Sequence, residues 1–246
     1  MDKHTYNNGP EDFKLETTSV WSFPERGSWA SHNPNYRGNW SPYVPRNVIL
    51  RYSRKNDLVL DQFIGSGTTA IEALLLNRNI IGIDINPSAV ELTKKNINSI
   101  HYECKCRIFV HDACNMNFLK DESIDLICTH PPYSNIIKYS DNIANDISLL
   151  KENEFLMSLR RVATESYRVL KKDKYMAFLM ADIRKNGFIV PLGFNTLSIF
   201  LEVGFKLKEI IIKAQHNCTS TQKWTSKSEQ YNFLLIAHEY LFILKK

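Results

Sequence analysis

The stretch "LVLDQFIGSGTTAIEALLLNRNIIGIDINP", residues 58–87, decides the fold class of this chain. Its first apolar run ends at Phe63, and Gly65-Ser66-Gly67 then turns the chain into a predicted helix. A second apolar run, residues 79–86, is typical of another strand, and Pro87 opens the next helix. Strands joined by helices in this way predict a parallel sheet that helices cover.

The same alternation extends through the rest of the sequence. Apolar runs predict strands at 57–63, 79–86, 106–114, 123–130, 174–183, 206–215 and 231–244, and helical spacing predicts helices at 46–53, 67–78, 87–101, 151–171 and 191–205. We therefore expect an α/β fold with a seven-stranded, mostly parallel sheet and helices on both faces. One strand should be antiparallel, because the last two strands follow each other without a helix.

An aromatic-rich arm, residues 1–45, is predicted to precede a single domain at 46–246 that lacks a large separate recognition domain. The arm contains Trp21, Trp29 and Trp40 among prolines and polar residues, without regular periodicity. One interpretation is an irregular flap that buries these rings on the main domain. The other is a surface that stacks on bases or on a ligand.

Composition and charge restrict the class of protein. The 246 residues suit one large α/β domain, and the net charge of +5 is compatible with nucleic acid without requiring it. The five cysteines include no C-x-x-C pair, so we expect neither a disulfide framework nor a metal site. The first residues are polar, and no apolar run is long enough to cross a bilayer. These features predict a cytoplasmic protein without a signal peptide or membrane partner.

Aspartates follow three successive predicted strands, where ligands bind in open α/β sheets. Asp61 is suited to a cationic or amine group, Asp84 to the two hydroxyls of a ribose, and Asp112 to the amino group of an adenine. Alternatively, Asp84 caps the helix at Pro87 and Asp112 is a turn residue. The Gly65 loop lacks the three-glycine and Gly-Lys-Ser/Thr signatures of phosphate loops. Together these residues predict a pocket for a nucleoside with a cationic tail and no phosphate, a description that S-adenosylmethionine fits.

The next predicted strand ends in "THPPY", residues 129–133, and carries no aspartate at that position. With Phe63-Ile64-Gly65-Ser66-Gly67, this motif resembles the F-x-G-x-G and [DNS]-P-P-[YF] signatures of the S-adenosylmethionine-dependent DNA amino-methyltransferases. The resemblance covers about residues 40–246 and implies a Rossmann-like methyltransferase sheet. The cofactor-binding residues that we expect are Trp40, Ser41, Pro42, Asp61, Phe63, Gly65, Gly67, Thr68, Asp84, Ile85, Asp112 and Ala113.

The chemistry of an exocyclic amine explains why these four residues, His130 to Tyr133, stand together. An exocyclic amine is a poor nucleophile, so two acceptors must hold its hydrogens in line with the methyl donor. The resemblance implies that the His130 side chain and the Pro131 carbonyl do this, that Pro132 stiffens the turn, and that Tyr133 stacks on a flipped base. His130 departs from the Asp, Asn or Ser of the family, and only a neutral imidazole can accept a hydrogen bond. The alternative is that His130 points away from the amine.

Three short segments are candidates for nucleic-acid recognition: 134–150, 183–192 and 214–230. The last is polar and basic, and its other interpretation is an ordinary long hairpin loop. The residues expected to contact nucleic acid are Lys138, Arg184, Lys185, Lys213, Lys223, Trp224 and Lys227. So small a recognition surface is compatible with a homodimer or a partner subunit.

The predicted function is site-specific methylation of duplex DNA in a restriction-modification system, with cytosine N4 slightly favoured over adenine N6. "THPPYSNIIKY" is closer to the T-S-P-P-Y of cytosine-N4 enzymes than to D-P-P-Y. One alternative is an RNA amino-methyltransferase, since related enzymes use N-P-P-Y or D-P-P-Y on RNA amines. The other is a catalytically silent partner subunit that binds nucleic acid.

Overall fold

The computed structural model describes residues 9–10, 12–36, 38–134, 140, 143–217 and 219–246, with the backbone alone at 219–222. The strands are β1 (Val20–Trp21), β2 (Leu58–Asp61), β3 (Asn79–Asp84), β4 (Cys106–Val110), β5 (Ile124–Thr129), β6 (Leu170–Met180), β7 (Ile183–Lys185), β8 (Phe188–Val190), β9 (Lys206–Ala214) and β10 (His238–Lys245). The helices are α1 (Tyr43–Tyr52), α2 (Thr68–Leu75), α3 (Pro87–Ile97), α4 (Glu152–Val169), α5 (Leu192–Val203) and α6 (Thr219–Gln230). A 3-10 turn spans Ile147–Leu149.

The main sheet has the order β1-β9-β10-β6-β5-β2-β3-β4 in the described chain. Only β10 runs antiparallel to its neighbours, which confirms the mostly parallel α/β architecture. The predicted number of seven strands is wrong, because β1 adds an eighth by pairing with β9. A two-residue strand is too short to show periodicity in the sequence. Strands β7 and β8 form a separate hairpin.

Helices cover both faces of the sheet, as predicted. Successive strand residues point to opposite faces, so Val59 packs with helices α1 to α3 and Leu60 with α4 and α5. Leu126 and Ile127 of β5 divide in the same way. The amphipathic α4 buries Phe155 and the other apolar positions of one stripe. The sheet is therefore fixed between two apolar cores.

Two predicted boundaries differ from the structure near residues 214–244. The segment 214–230, for which one interpretation was a hairpin loop, contains α6, and the predicted strand at 231–244 begins only at His238. Residues 231–237 are apolar in composition, yet Leu234 is 86% exposed and the segment pairs with no strand in the described structure. Apolar content alone was therefore misleading here, since a strand also needs a neighbour to pair with.

The arm is joined to the main domain. The predicted boundary at residue 45 falls inside α1, β1 extends the sheet, and Trp21 and Trp40 are buried in the core beside α1. This arrangement agrees with the flap interpretation of the arm. None of the helices in the described ranges has both the length and the apolar character needed to cross a bilayer.

The topology brings the candidate residues to one edge. From β2 the chain adds β3 and β4 on one side and then crosses to β5 on the other side of β2. The carboxyl ends of β2 and β5 therefore border a topological switch point, where open α/β sheets bind ligands. Because β10 is antiparallel, its first residues, including Glu239, lie at this same edge.

Candidate active site

A cleft that is partly open to solvent occupies the switch point. Its described lining includes these predicted residues: Trp40, Asp61, Phe63, Gly65, Thr68, Asp84, Ile85, Asp112, Ala113, His130 and Pro132. Ser41, Pro42 and Gly67 are not among the described lining residues. The Ser41 hydroxyl donates to the Arg26 carbonyl, and a Cβ on Gly67 would meet the Thr93 side chain at 2.8 Å.

The Gly65 loop is held by Asp84. Gly65 has φ +53°, in the region that favours glycine, and its N–H donates to Asp84 Oδ2 at 3.0 Å. Asp84 Oδ1 accepts from the Asn86 N–H at 2.9 Å. The α3 cap is Asn86, which accepts from the Ser88 N–H, so the alternative of Asp84 as the helix cap is wrong. Burial raises the pKa of Asp84, which lies at the cleft wall.

Asp61 lies at the base of the cleft and is 2% exposed. Its Oδ1 accepts from the Thr129 hydroxyl at 2.7 Å and from the Phe63 N–H at 3.1 Å. Burial raises the pKa of Asp61 to about 6 despite these hydrogen bonds. The interaction with Thr129 ties the end of β2 to the residue that precedes His130.

Two further carboxylates complete the cleft wall. Asp112 Oδ1 accepts from the Cys114 N–H at 2.7 Å, in agreement with the predicted turn role, and Asp112 also faces the cleft. Asp146 is 4% exposed and accepts from the Ser148 N–H at 2.8 Å, at the start of the 3-10 turn. Four carboxylates around one cleft produce a negative potential that favours a cationic ligand.

The THPPY motif follows β5 directly into the cleft. His130 and Pro132 line the cleft, and the indole of Trp40 stacks on the His130 ring at 5.4 Å between centroids. His130 Nε2 lies 2.7 Å from the Tyr133 hydroxyl, which donates to Glu239 Oε1 at 2.8 Å. The Tyr133 ring meets the His130 ring edge-on, and it packs against the core on the α4 face. His130 therefore lines the cleft while its ring contacts Trp40 and Tyr133.

Lys213 completes this chain of polar contacts. Its Nζ lies 2.8 Å from Glu239 Oε2, and its side chain is only 14% exposed. This position corrects the prediction that Lys213 contacts phosphate, because its ammonium is paired with Glu239 beneath the THPPY motif. Burial alone would raise the pKa of Glu239, but Lys213 and His130 hold that pKa below its ordinary value.

Burial lowers the pKa of His130 to about 4. Glu239 opposes this shift, whereas Lys213 and Arg26 add to it. The imidazole is therefore neutral at physiological pH, the state in which one ring nitrogen can accept a hydrogen bond.

The arm is fastened to α2 through Glu72, a carboxylate with no exposed surface. Glu72 Oε1 accepts from Trp29 Nε1 at 2.7 Å and lies 2.7 Å from His32 Nε2, while Oε2 pairs with Arg46 at 2.8 Å. Within the arm, Arg26 donates to the carbonyls of residues 39 and 40. These contacts fix the segment that carries Tyr36, Asn39 and Trp40 to the cleft.

The residues predicted to contact nucleic acid differ in their surroundings in the structure. Lys185, Lys223 and Lys227 are exposed on the β7–β8 hairpin and on α6, and Trp224 is 47% exposed beneath the Lys227 ammonium. Arg184 donates to the carbonyls of Gly187 and Leu234 and covers the Phe233 ring. Lys138 lies outside the described residues.

Several cleft residues were missed from the sequence. Asn39 accepts from the Thr68 hydroxyl, and Tyr36 contacts the Gly65 loop, yet both belong to a segment without periodicity. Asp146 had a usable signal, since Asp-x-Ser is typical of a turn in which the side chain accepts from the backbone. Glu239 had one as well, because an acidic residue interrupts the apolar strand "HEYLFILK".

Family models match the chain over two ranges. A methyltransferase domain model matches residues 53–236, and a DNA methylase model matches residues 2–95. The chain belongs to the methyltransferase domain family. The resemblance to the N4/N6 amino-methyltransferases that the two motifs predicted is confirmed.

Curated relatives match shorter parts of the chain. The type II methyltransferase M.BglI from Bacillus subtilis is 35% identical over 92 residues, which are 36% of this chain and 26% of that protein. M2.MboI from Moraxella bovis is 37% identical over 81 residues, 33% of this chain and 30% of that protein. A tRNA (guanine(10)-N2)-dimethyltransferase from Methanothermobacter thermautotrophicus is 35% identical over 100 residues, which are 40% of this chain and 29% of that protein. The matched parts span between a quarter and a third of these relatives.

Solved structures agree with the fold. A SAM-dependent methyltransferase from Methanosarcina mazei superposes with a TM-score of 0.57 at 16% identity, covering 81% of this chain and 96% of that one. TrmN from Thermus thermophilus gives the same TM-score and identity, and the match covers 85% of this chain and 50% of that one. These likenesses concern the Rossmann-like methyltransferase fold.

The cleft fits S-adenosylmethionine, the cofactor that this family and fold imply. The glycine turn brings backbone close to the cleft, and the Asp84 carboxylate lies at the adjacent strand end. Phe63, Ile85 and Ala113 provide apolar contact surface. The carboxylates favour the positive charge of the sulfonium and ammonium groups.

Proposed function

We propose that this chain transfers a methyl group from S-adenosylmethionine to an exocyclic amino group of a base in duplex DNA. The observation that carries the proposal is the position of His130 and the Pro131-Pro132 turn beside a carboxylate-lined cleft. The cleft suits the methyl donor and the motif suits a weakly nucleophilic amine, so the two requirements of the reaction meet at one sheet edge.

Three carboxylates have separate proposed roles toward the cofactor. Asp84 would accept from the ribose hydroxyls and Asp112 from the adenine amino group, while Asp61 adds negative charge at the base of the cleft. The bound cofactor would supply an activated methyl group on its sulfonium. The arm residues Tyr36 and Trp40 would exclude water from that side of the cleft.

The amine would be held by the tetrapeptide. The His130 imidazole and the Pro131 carbonyl accept its two hydrogens, which favours tetrahedral nitrogen and directs the lone pair at the methyl group. The base must leave the duplex to reach this site, and Tyr133 is proposed to stack on it. We favour cytosine N4 over adenine N6, on the sequence "THPPYSNIIKY" alone.

The DNA would approach the edge from which the β7–β8 hairpin and α6 project. Both follow strands whose carboxyl ends lie at this edge, and they carry Lys185, Lys223 and Lys227. Exposed lysines there suit the phosphate backbone, and Trp224 suits a base or sugar contact. A second copy or a partner subunit would extend this small surface, as expected for one component of a restriction-modification system.

The decisive experiment uses S-adenosylmethionine labelled in its methyl group, with duplex DNA and total RNA as separate substrates. The products are digested to nucleosides and identified by mass spectrometry. We expect N4-methylcytosine from DNA. N6-methyladenine would overturn the choice of base, and no labelled nucleoside from either substrate would support the silent-subunit alternative.

A second candidate is methylation of an RNA amine. The match to the tRNA (guanine(10)-N2)-dimethyltransferase favours it, because the similarity extends over 100 residues. A methylated ribonucleoside in the RNA reaction, without product from DNA, would replace the DNA proposal by this one.

A further inference from the structure

Four polar side chains from three parts of the sequence form one hydrogen-bonded row. Lys213 of β9 pairs with Glu239 of β10, Glu239 accepts from the Tyr133 hydroxyl, and that hydroxyl lies 2.7 Å from His130 Nε2. Glu239 is 7% exposed. Its two oxygens are used separately, Oε2 by Lys213 and Oε1 by Tyr133.

The direction of each hydrogen bond follows from the donors available. Lys213 has only donors and ionised Glu239 only acceptors, so the single Tyr133 hydroxyl hydrogen points to Glu239. The hydroxyl oxygen can then only accept from His130, and Nε2 must carry the ring proton. A neutral imidazole with hydrogen on Nε2 has its lone pair on Nδ1. Nδ1 has no hydrogen-bond partner among the described residues.

We propose that Lys213, Glu239 and Tyr133 are positioning residues that hold His130 as the Nε2-protonated tautomer, so that Nδ1 accepts a hydrogen of the target amine. This inference rests on the proposed function for the identity of the amine. It explains how a histidine can take the place of Asp, Asn or Ser, whose oxygens accept without any tautomer being selected.

The surroundings of His130 agree with this assignment. The charged groups that act on the ring are Glu239, Lys213 and Arg26, from β10, β9 and the arm. Trp40 stacks on one face of the imidazole and Arg26 donates to the Trp40 carbonyl, so the ring cannot rotate freely to exchange its two nitrogens.

The variant Glu239→Gln should reverse the row. The amide NH₂ cannot face the Lys213 ammonium, so the amide oxygen remains with Lys213 and the NH₂ faces Tyr133. The hydroxyl then accepts from Gln and donates to His130 Nε2, which moves the ring proton to Nδ1. In the double variant with Lys213→Met, the amide can turn its oxygen to Tyr133, which restores the original tautomer.

Histidine-labelled ¹⁵N spectra at neutral pH test the tautomer directly. The His130 signals are assigned by their loss in His130→Asn. We expect Nε2–H in the wild type, Nδ1–H in Glu239→Gln and a return to Nε2–H in the double variant. Nδ1–H in the wild type, or an unchanged tautomer in Glu239→Gln, would overturn the proposal. Should Glu239→Gln fail to fold, Tyr133→Phe serves instead: loss of the single-tautomer preference supports the proposal and its retention contradicts it.

Kinetics test whether the tautomer matters. With tritiated S-adenosylmethionine and random-sequence duplex DNA, we expect Glu239→Gln to lower kcat about a hundredfold, with the KM for the cofactor within about twofold of wild type. The double variant should recover part of this loss, whereas the exposed Glu91→Gln should leave kcat unchanged. An unchanged kcat despite a reversed tautomer overturns the positioning role. No methyl transfer by the wild type would overturn the proposed function while leaving the spectra valid.

Discussion

The half-buried His130 and the buried Asp61 are ionisable residues whose pKa values move in opposite directions. Burial disfavours the charged form of each, so the pKa of His130 falls to about 4 and that of Asp61 rises to about 6. Both residues are therefore close to electrically neutral near pH 5. The two shifts therefore change the free energy of unfolding in opposite directions as the pH rises.

As the pH falls, His130 becomes protonated at a higher pH in the unfolded chain than in the folded protein. Its contribution to stability is present above about pH 6.5 and is lost as the pH falls towards about 4. For Asp61, the folded state holds the proton more tightly. Its contribution is present below about pH 4 and is lost as the pH rises through about 6.

We predict opposite changes in the pH dependence of stability for two variants. Compared with the wild type, His130→Asn should lose stability less steeply on acidification between pH 6.5 and 4. Asp61→Asn should lose less stability than the wild type as the pH rises from 4 to 6. Each contribution is on the order of 3 kcal/mol. Urea unfolding at several pH values measures these slopes, and curves parallel to the wild type for both variants would contradict the assigned shifts.

At the scale of elements, the arm and α2 are joined through one buried carboxylate. Glu72→Gln keeps the size of the side chain but leaves the Arg46 charge without a full partner in a buried position. We predict a loss on the order of 3 kcal/mol in the free energy of unfolding, together with weaker binding of S-adenosylmethionine. Urea unfolding and calorimetric titration measure the two effects.

The exposed Glu91→Gln is the matched control for this change. Glu91 pairs with Lys94 on the surface of α3, where an ion pair contributes little. We expect tryptic cleavage after Arg26 to become faster in Glu72→Gln alone. Equal cleavage rates in wild type and Glu72→Gln would mean that Glu72 does not hold the arm.

The hairpin and α6 form the second element-scale prediction. Replacing Lys185, Lys223 and Lys227 together by Gln should weaken DNA binding and reduce the salt dependence of log Kd, by roughly 0.9 for each lost phosphate contact. Lys55, Lys105 and Lys172 are exposed at the opposite edge of the sheet and carry the same charge. Their triple replacement is the control. Equal effects of the two triple variants would indicate a general charge effect without a DNA-binding edge.

At the scale of the whole molecule, the sequence predicts what depends on local spacing. The strand–helix alternation and the strand-end positions of Asp61, Asp84 and Asp112 follow from short-range periodicity. The partners of His130 do not, because Glu239 lies 106 positions after Tyr133 and meets it only through strand order. Lys213 was misassigned for the same reason, since a lysine near a strand end looks exposed until its neighbouring strand is known. Strand β1 is too short to leave a periodic signal.

The pairing of β1 with β9 has a consequence for synthesis on the ribosome. Strand β1 is made before the other strands of the sheet, but its docking strand β9 and the neighbouring β10 are made last of them. A nascent chain that has completed β5 already carries the Pro131-Pro132 turn, yet it lacks both the docking place for β1 and the Lys213–Glu239 pair. Docking of β1 and completion of the contacts that hold His130 must therefore both wait until β9 and β10 have been made.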